Sequence, residues 1–263
     1  MRAFALLLAF SLSLWPEAAM ARPARVVSLN LCTDELLLAL ANDDQIASVT
    51  YLAKQRSETP YWRRAQSYRK NDGSLLSIAA LKPDLVLTMG GGVRDRASIA
   101  RRLGIPILDL PYPLSLSNVE ESVARLSAVL GHQARGRALI GQLQQLRHTA
   151  PSAATDTIWL GGGGRTVPPT GLAAEWMRLA GLRQRAFRGD RVTLEQLLVS
   201  PPQVLLRSDY REGEYSGEQR WMAHPLARRT RAGRTLATDG RRWTCMGPSL
   251  IPEILRLRRE STQ

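Results

Sequence analysis

Two stretches of this chain share one grammar. LLSIAALKPDLVL, from Leu75, and LEQLLVSPPQVLL, from Leu194, both read as a short helix, a proline turn and a buried strand. A unit of this kind cannot bury its own apolar strand, so it needs a parallel sheet with helices on both faces. Its recurrence predicts two such sheets in one chain.

The elements around the two units support this. In the first half, strands are predicted at Arg25–Leu29, Ile46–Tyr51, Leu85–Thr88 and Ile107–Leu110, with helices at Asp34–Ala41, Leu75–Leu81 and Ala97–Leu103. Thr33 is the expected N-cap of the first helix. Ser117–Leu130 and Gln133–Thr149 then carry helical periodicity with no strand signal, broken at Gly131, and read as a helical spine. The alternation returns with strands at Thr157–Leu160, Gln203–Leu206 and Arg234–Ala237. Its helices are Leu172–Ala180, Leu194–Val199 and Pro252–Arg259. The expected organisation is a first lobe over residues 22–116, a helical connection over 117–150 and a second lobe over 151–263.

Residues 1–21 stand apart. Arg2, an apolar run from Ala3 to Trp15 and the small-x-small site Ala19-Met20-Ala21 have the form of a cleaved secretory signal, too short to cross a bilayer. The expected product is a soluble periplasmic monomer beginning near Arg22. A hydrophobic fraction of 44% excludes wholesale disorder. The formal charge of +13 rests almost wholly on arginine, the only lysines being Lys54, Lys70 and Lys82. These arginines are scattered and no stacking-aromatic motif accompanies them, so a basic solvated surface is expected rather than a nucleic-acid partner.

In open α/β sheets ligands bind beyond the carboxyl ends of the strands. Those ends are Asn30–Thr33, Tyr51-Leu52, Gly90–Arg94 and Pro111-Tyr112 in the first half, and Gly161–Thr166, Arg207–Arg211 and Arg241–Met246 in the second. If the halves face each other, these loops line one cleft.

SLNLCTDELLLALA, ALKPDLVL, RRLGIPIL and RRWTCMGP resemble the periplasmic binding proteins of iron-siderophore and vitamin B12 ABC importers, in the expected order over nearly the whole mature chain. The resemblance implies two Rossmann-like α/β lobes with mainly parallel sheets, a long rigid helix between them and a ligand cleft at their junction. It implies capture of a metal chelate (ferric siderophore, haem or cobalamin-like), delivery to an inner-membrane permease, no catalysis and no resident cofactor. It also implies a permease-docking glutamate on each lobe. Glu195 matches in the second, whereas Leu76 stands at the corresponding place in the first, with Glu58 and Asp72 as nearby substitutes.

The cleft candidates are Asn30, Cys32, Tyr51, Tyr68, Arg94, Tyr112, Arg165, Arg207, Trp243 and Cys245. Trp243 offers a flat ring for a macrocycle or catecholate, or else a packing anchor. Tyrosine phenolates can ligate ferric haem. Arg94 and Arg165 follow glycine-rich loops that lack any phosphate-loop signature and suit anionic groups, with Arg207, Arg211 and Arg241 as further candidates. Cys32 and Cys245 leave three readings open: an interlobe disulfide, a thiol pair for a soft metal, or two unrelated buried cysteines. His132, His148 and His224 lie away from the strand ends, which favours a pre-chelated metal over a bare ion. The rivals are a sensory or scaffold module on the same fold, and a secreted enzyme using Cys32, which lacks a placed base.

Overall fold

The computed structural model describes residues 22–91, 94–211, 217–228 and 232–261; the predicted signal segment lies outside the described residues. The first half runs β1 (Val26–Ser28), α1 (Leu31–Leu40), β2 (Ile46–Thr50), α2 (Trp62–Ala65), β3 (Arg69–Asn71), a 3-10 turn (Leu76–Leu81), β4 (Leu85–Met89), α3 (Arg94–Arg102) and β5 (Ile107–Leu110). The helices α4 (Leu116–Leu130) and α5 (Gln133–His148) follow. The second half is β6 (Thr155–Leu160), α6 (Leu172–Leu179), β7 (Leu182–Gln184), α7 (Leu194–Val199), β8 (Val204–Ser208), α8 (Gly217–Ala223), α9 (Pro225–Arg228), β9 (Arg234–Thr238), α10 (Gly240–Cys245) and α11 (Leu250–Ser261).

Both sheets are parallel throughout, in the orders β3-β2-β1-β4-β5 and β7-β6-β8-β9. Each is doubly wound. Val26, Leu85 and Leu87 pack on the α1 side of the first sheet, and Val27 and Val86 on the side covered by Ile78 and Ala100. Val204 and Leu206 likewise face α6 and α11, while Leu205 faces Leu197. The period-2 alternation of apolar residues thus serves two cores per sheet. The repeated grammar is structurally real: Ile78 and Leu197 are both wholly buried beneath their sheets.

The spine is a hairpin rather than one long helix. Gly131 ends α4 with φ +76°, a left-handed cap that suits glycine. Both arms cross both lobes. Leu116 and Val119 lie in the second-lobe core, while Val123, Leu126 and Leu130, further along α4, lie in the first. On α5 the order reverses, Leu139 and Ile140 packing on the first-lobe core and Leu143 and Leu146 entering the second.

Three local expectations change. Asn30, not Thr33, caps α1, its side chain accepting the Cys32 N–H at 2.8 Å. Thr33 is buried instead and hydrogen-bonds Ser28 Oγ at 2.8 Å. The 241–246 stretch, expected as a loop, lies in and just beyond α10, capped by Asp239. The edge strands β3 and β7 had no sequence signal, being short and partly exposed.

The hairpin depends on close contact at Gly136, where an added Cβ would sit 2.1 Å from Ser127 Oγ on α4. Gly136→Val is expected to lower stability by about 1–3 kcal/mol through overpacking. Gly141→Ala, on the same helix with nothing within 4 Å, is expected to raise it by roughly 0.5–1 kcal/mol. Denaturant midpoints of the two variants check this, and equal effects would remove the crossing from the argument.

Candidate functional site

The carboxyl-end loops of the two sheets meet. Cys32, in the first turn of α1, is disulfide-bonded to Cys245 at the end of α10, with Cα atoms 5.2 Å apart. That decides among the three cysteine readings in favour of a covalent interlobe tie. Around it lie further contacts between lobes. Ser249 Oγ donates to Glu35 at 3.2 Å, and Arg241 Nη1 donates to the Arg56 carbonyl at 2.9 Å. Tyr210 Oη and Arg211 Nη2 donate to Glu58 at 2.9 and 2.6 Å.

Between α4 and the disulfide is a small pocket whose enclosed space, about 20 Å³, holds roughly one water. Leu36, Tyr61, Met89 and Val119 supply apolar wall, and Glu35 supplies its one carboxylate. Ser122 also lines it, and among the described residues its buried Oγ has no hydrogen-bond partner. Among the described residues no group of three or more His, Cys, Asp or Glu side chains could hold a metal ion.

The two acidic residues at the start of α1 do more than complement a helix dipole. Asp34 is fully buried and accepts the Thr50 N–H and hydroxyl, clasping α1 to the end of β2. Glu35, also buried, accepts from Thr59 at 2.8 Å in its own lobe and from Ser249 in the other. Burial disfavours the charged form of each more than these donors favour it, so both carboxyls are pushed up to about 7. Acidic residues early in a helix ordinarily signal an exposed N-terminus, and nothing local in the sequence marked these as interior.

The structure sorts the sequence candidates. Cys32 and Cys245 are together and line the pocket. Tyr51 and Tyr112 stand at strand ends, 46% and 54% exposed, as rim residues. Arg207 is half-buried at the end of β8, and Arg165 lies 3.9 Å from Asp190. None of these four lines the enclosed pocket. Arg94 falls in the first turn of α3; its side chain lies outside the described residues. Two expectations are corrected. Trp243 is a core residue, its ring beside Trp159 and its Nε1 donating to Thr238 Oγ1 at 2.8 Å, because α10 turns it beneath the second sheet. Tyr68 is buried in the first-lobe core, with its hydroxyl donated to Asp43 at 2.7 Å. Asn30 spends its side-chain oxygen on the helix cap.

On the outer surface, Glu195 and Leu76 occupy matching places two residues before the buried anchors Leu197 and Ile78. Glu195 is exposed in the first turn of α7, where its own N–H and the Thr193 hydroxyl hold its carboxyl below the usual range. Leu76 is 87% exposed. Glu58 is no substitute for an outward glutamate, since it is buried between the lobes, whereas Asp72 is exposed.

A family profile described as "periplasmic binding protein" matches residues 26–236. The chain belongs to that family. No curated protein matches it in sequence. Among solved structures, the periplasmic vitamin B12 binding protein of Vibrio cholerae is similar at TM-score 0.64 and 20% identity, over 90% of this chain and 96% of that one. The periplasmic heme-binding protein RhuT from Roseiflexus sp. RS-1 aligns at TM-score 0.66 and 21% identity, over 89% and 96%. The siderophore binding protein BauB, bound to ferric iron and two molecules of acinetobactin, aligns at TM-score 0.70 and 15% identity, over 91% and 94%. At these identities the likeness is one of fold.

Glu35 makes a pH prediction. Its carboxyl is raised from 4.5 to about 7 in the folded chain, so the folded state holds a proton that the unfolded state has lost across that window. Stability therefore falls as pH rises from about 4.5 to about 7, by at most about 3 kcal/mol from this group. Glu35→Gln is expected to flatten the fall in melting temperature between pH 5 and pH 8. An unchanged slope in that variant would show that Glu35 ionises normally.

Proposed function

We propose that the protein is the periplasmic solute-binding component of an ABC importer, exported by its N-terminal signal. It captures a metal chelate and delivers it to an inner-membrane permease. The observation that carries this is the meeting of both sheets' carboxyl-end loops over one junction, in a chain whose family is one of binding proteins. The metal arrives as cargo inside its chelator, in keeping with a junction whose described residues gather no ligand set for a bare ion. The B12, heme and siderophore proteins that share the fold support this ligand class.

In this reading Tyr51, Tyr112, Arg165 and Arg207 meet the ligand at the rims, and Glu35 and the disulfide form the floor beneath it. Glu195 docks the second lobe to a basic residue of the permease. The first lobe presents Leu76 at the matching place, with Asp72 as its nearest acidic alternative.

A cognate chelate is expected to raise the unfolding free energy, by about 2.7 kcal/mol at roughly 100 times its Kd. Thermal-shift titration with haem, ferric siderophores and cobalamin, beside absorbance and metal content of the native periplasmic protein, checks this. No shift with any chelate and a colourless, metal-free native protein would sink the reading. Glu195→Arg is expected to retain chelate affinity yet abolish uptake by cells that depend on this protein; uptake at the wild-type rate would remove Glu195 from docking.

A further inference from the structure

The contact at Glu58 is unusual for what it joins. This carboxylate is 4% exposed and belongs to the first lobe, yet it takes one donor on each oxygen from the second: Arg211 on Oε1 and Tyr210 on Oε2. Ser57, its neighbour, adds a hydroxyl at 3.2 Å. The donors form a prepared pair, the Arg211 guanidinium lying 5.2 Å from the centre of the Tyr210 ring. Arg211 sits at φ +54°, a left-handed conformation that a non-glycine residue adopts only where its surroundings impose it. Tyr210 is seated on Gly240, where an added Cβ would come within 2.4 Å of the Tyr210 Cβ. A planar guanidinium beside a phenol hydroxyl is matched to a carboxylate or a phosphate.

We infer that Tyr210 and Arg211 are an anion-binding pair of the ligand cleft, occupied here by Glu58 as a tethered internal anion that the carboxylate or phosphate of an incoming ligand displaces. This rests on the proposed chelate-binding role and narrows it to chelates bearing an anionic arm. Half of the exchange is already open to solvent, since the Arg211 side chain is 42% exposed against 5% for Glu58. Displacement breaks no covalent bond, the disulfide joining the lobes elsewhere. Glu58 then acts as a selector, because a neutral ligand of the same shape cannot replace the charge it would have to expel.

The test compares haem, which carries two carboxylates, with its dimethyl ester, in the full chain and in the variants Glu58→Gln, Tyr210→Phe and Arg211→Gln. Glu58→Gln is expected to tighten haem binding about tenfold and Arg211→Gln to weaken it about tenfold, whereas the ester, with no carboxylate for Arg211 to hold, gains from Glu58→Gln and is not weakened by Arg211→Gln. Haem and ester weakened alike by Arg211→Gln would overturn the inference while leaving chelate binding intact. A second arm needs no chelate. Inorganic phosphate, against chloride at equal ionic strength, is expected to raise the melting temperature of Glu58→Gln but not of Glu58→Gln/Arg211→Gln. Equal shifts in the two would overturn the anion pair, even in a chain that binds haem. A phosphate response confined to the first, in a chain that binds neither chelate, would uphold the pair and remove haem as the ligand.

Discussion

The two lobes share a pair of helices, and that sharing governs what the rest of the molecule can do. Each arm of the α4–α5 hairpin packs on both cores, Leu116 and Leu146 in one, Leu126 and Leu130 with the partly buried Leu139 and Ile140 in the other. Moving one lobe away from the other would strip apolar surface from the same helices that hold it. At about 25 cal/mol per Å² this opposes large separations more firmly than any single polar contact. The disulfide adds a second fixed point, joining residues 213 apart in sequence across the junction. The hairpin below the pocket and the covalent tie above it both oppose large separations of the lobes.

Polar contacts at the junction carry most of the adjustable energy. Glu35 and Glu58 are both buried first-lobe carboxylates with second-lobe donors, yet they differ in kind. Among the described residues Glu35 meets only hydroxyls directly, so burial dominates and its proton is retained to about neutral pH. Glu58 meets a guanidinium, and that ion pair in turn holds the Arg211 proton more firmly. A neutral hydroxyl contact at the floor and a charged one at another part of the junction respond to different influences, pH for the first and competing anions for the second. The strongly basic character of the chain favours anionic solutes in general.

The architecture was legible in the sequence wherever apolar pattern decides structure. Ile78 and Leu197 could be paired from sequence because both lie beneath buried strands, and the proline turns that follow them admit few alternatives. Pattern was silent where an element is short, as in β3 and β7, whose residues are held mainly by pairing with β2 and β6, Leu182 being the one apolar anchor among them. The site was read less well. Strand ends located the cysteines at the junction, but their pairing depends on the relative placement of two lobes, which no local spacing encodes. Trp243 failed as a cleft residue because α10 rotates the ring into the second-lobe core. Glu35 and Glu58 look like surface acids in sequence; only tertiary placement turns them into buried interlobe groups.

The size of the pocket bears on how ligand enters. Its enclosed space, about 20 Å³, holds roughly one water, far below the roughly 300–1,000 Å³ of small-molecule sites. The additional room must come from parting the rims. Among the described residues, three contacts that stand in the way are Glu58 with Tyr210 and Arg211, Arg241 with Arg56, and Ser249 with Glu35. All are exchangeable with water or ligand, whereas the Cys32–Cys245 bond is not. In an opening pivoted near the disulfide, the displacement of each rim residue would grow with its distance from that bond. Affinity then depends on how far the ligand's polar groups replace the three broken contacts, which places selectivity in the contacts that close the cleft as well as in the residues that line it.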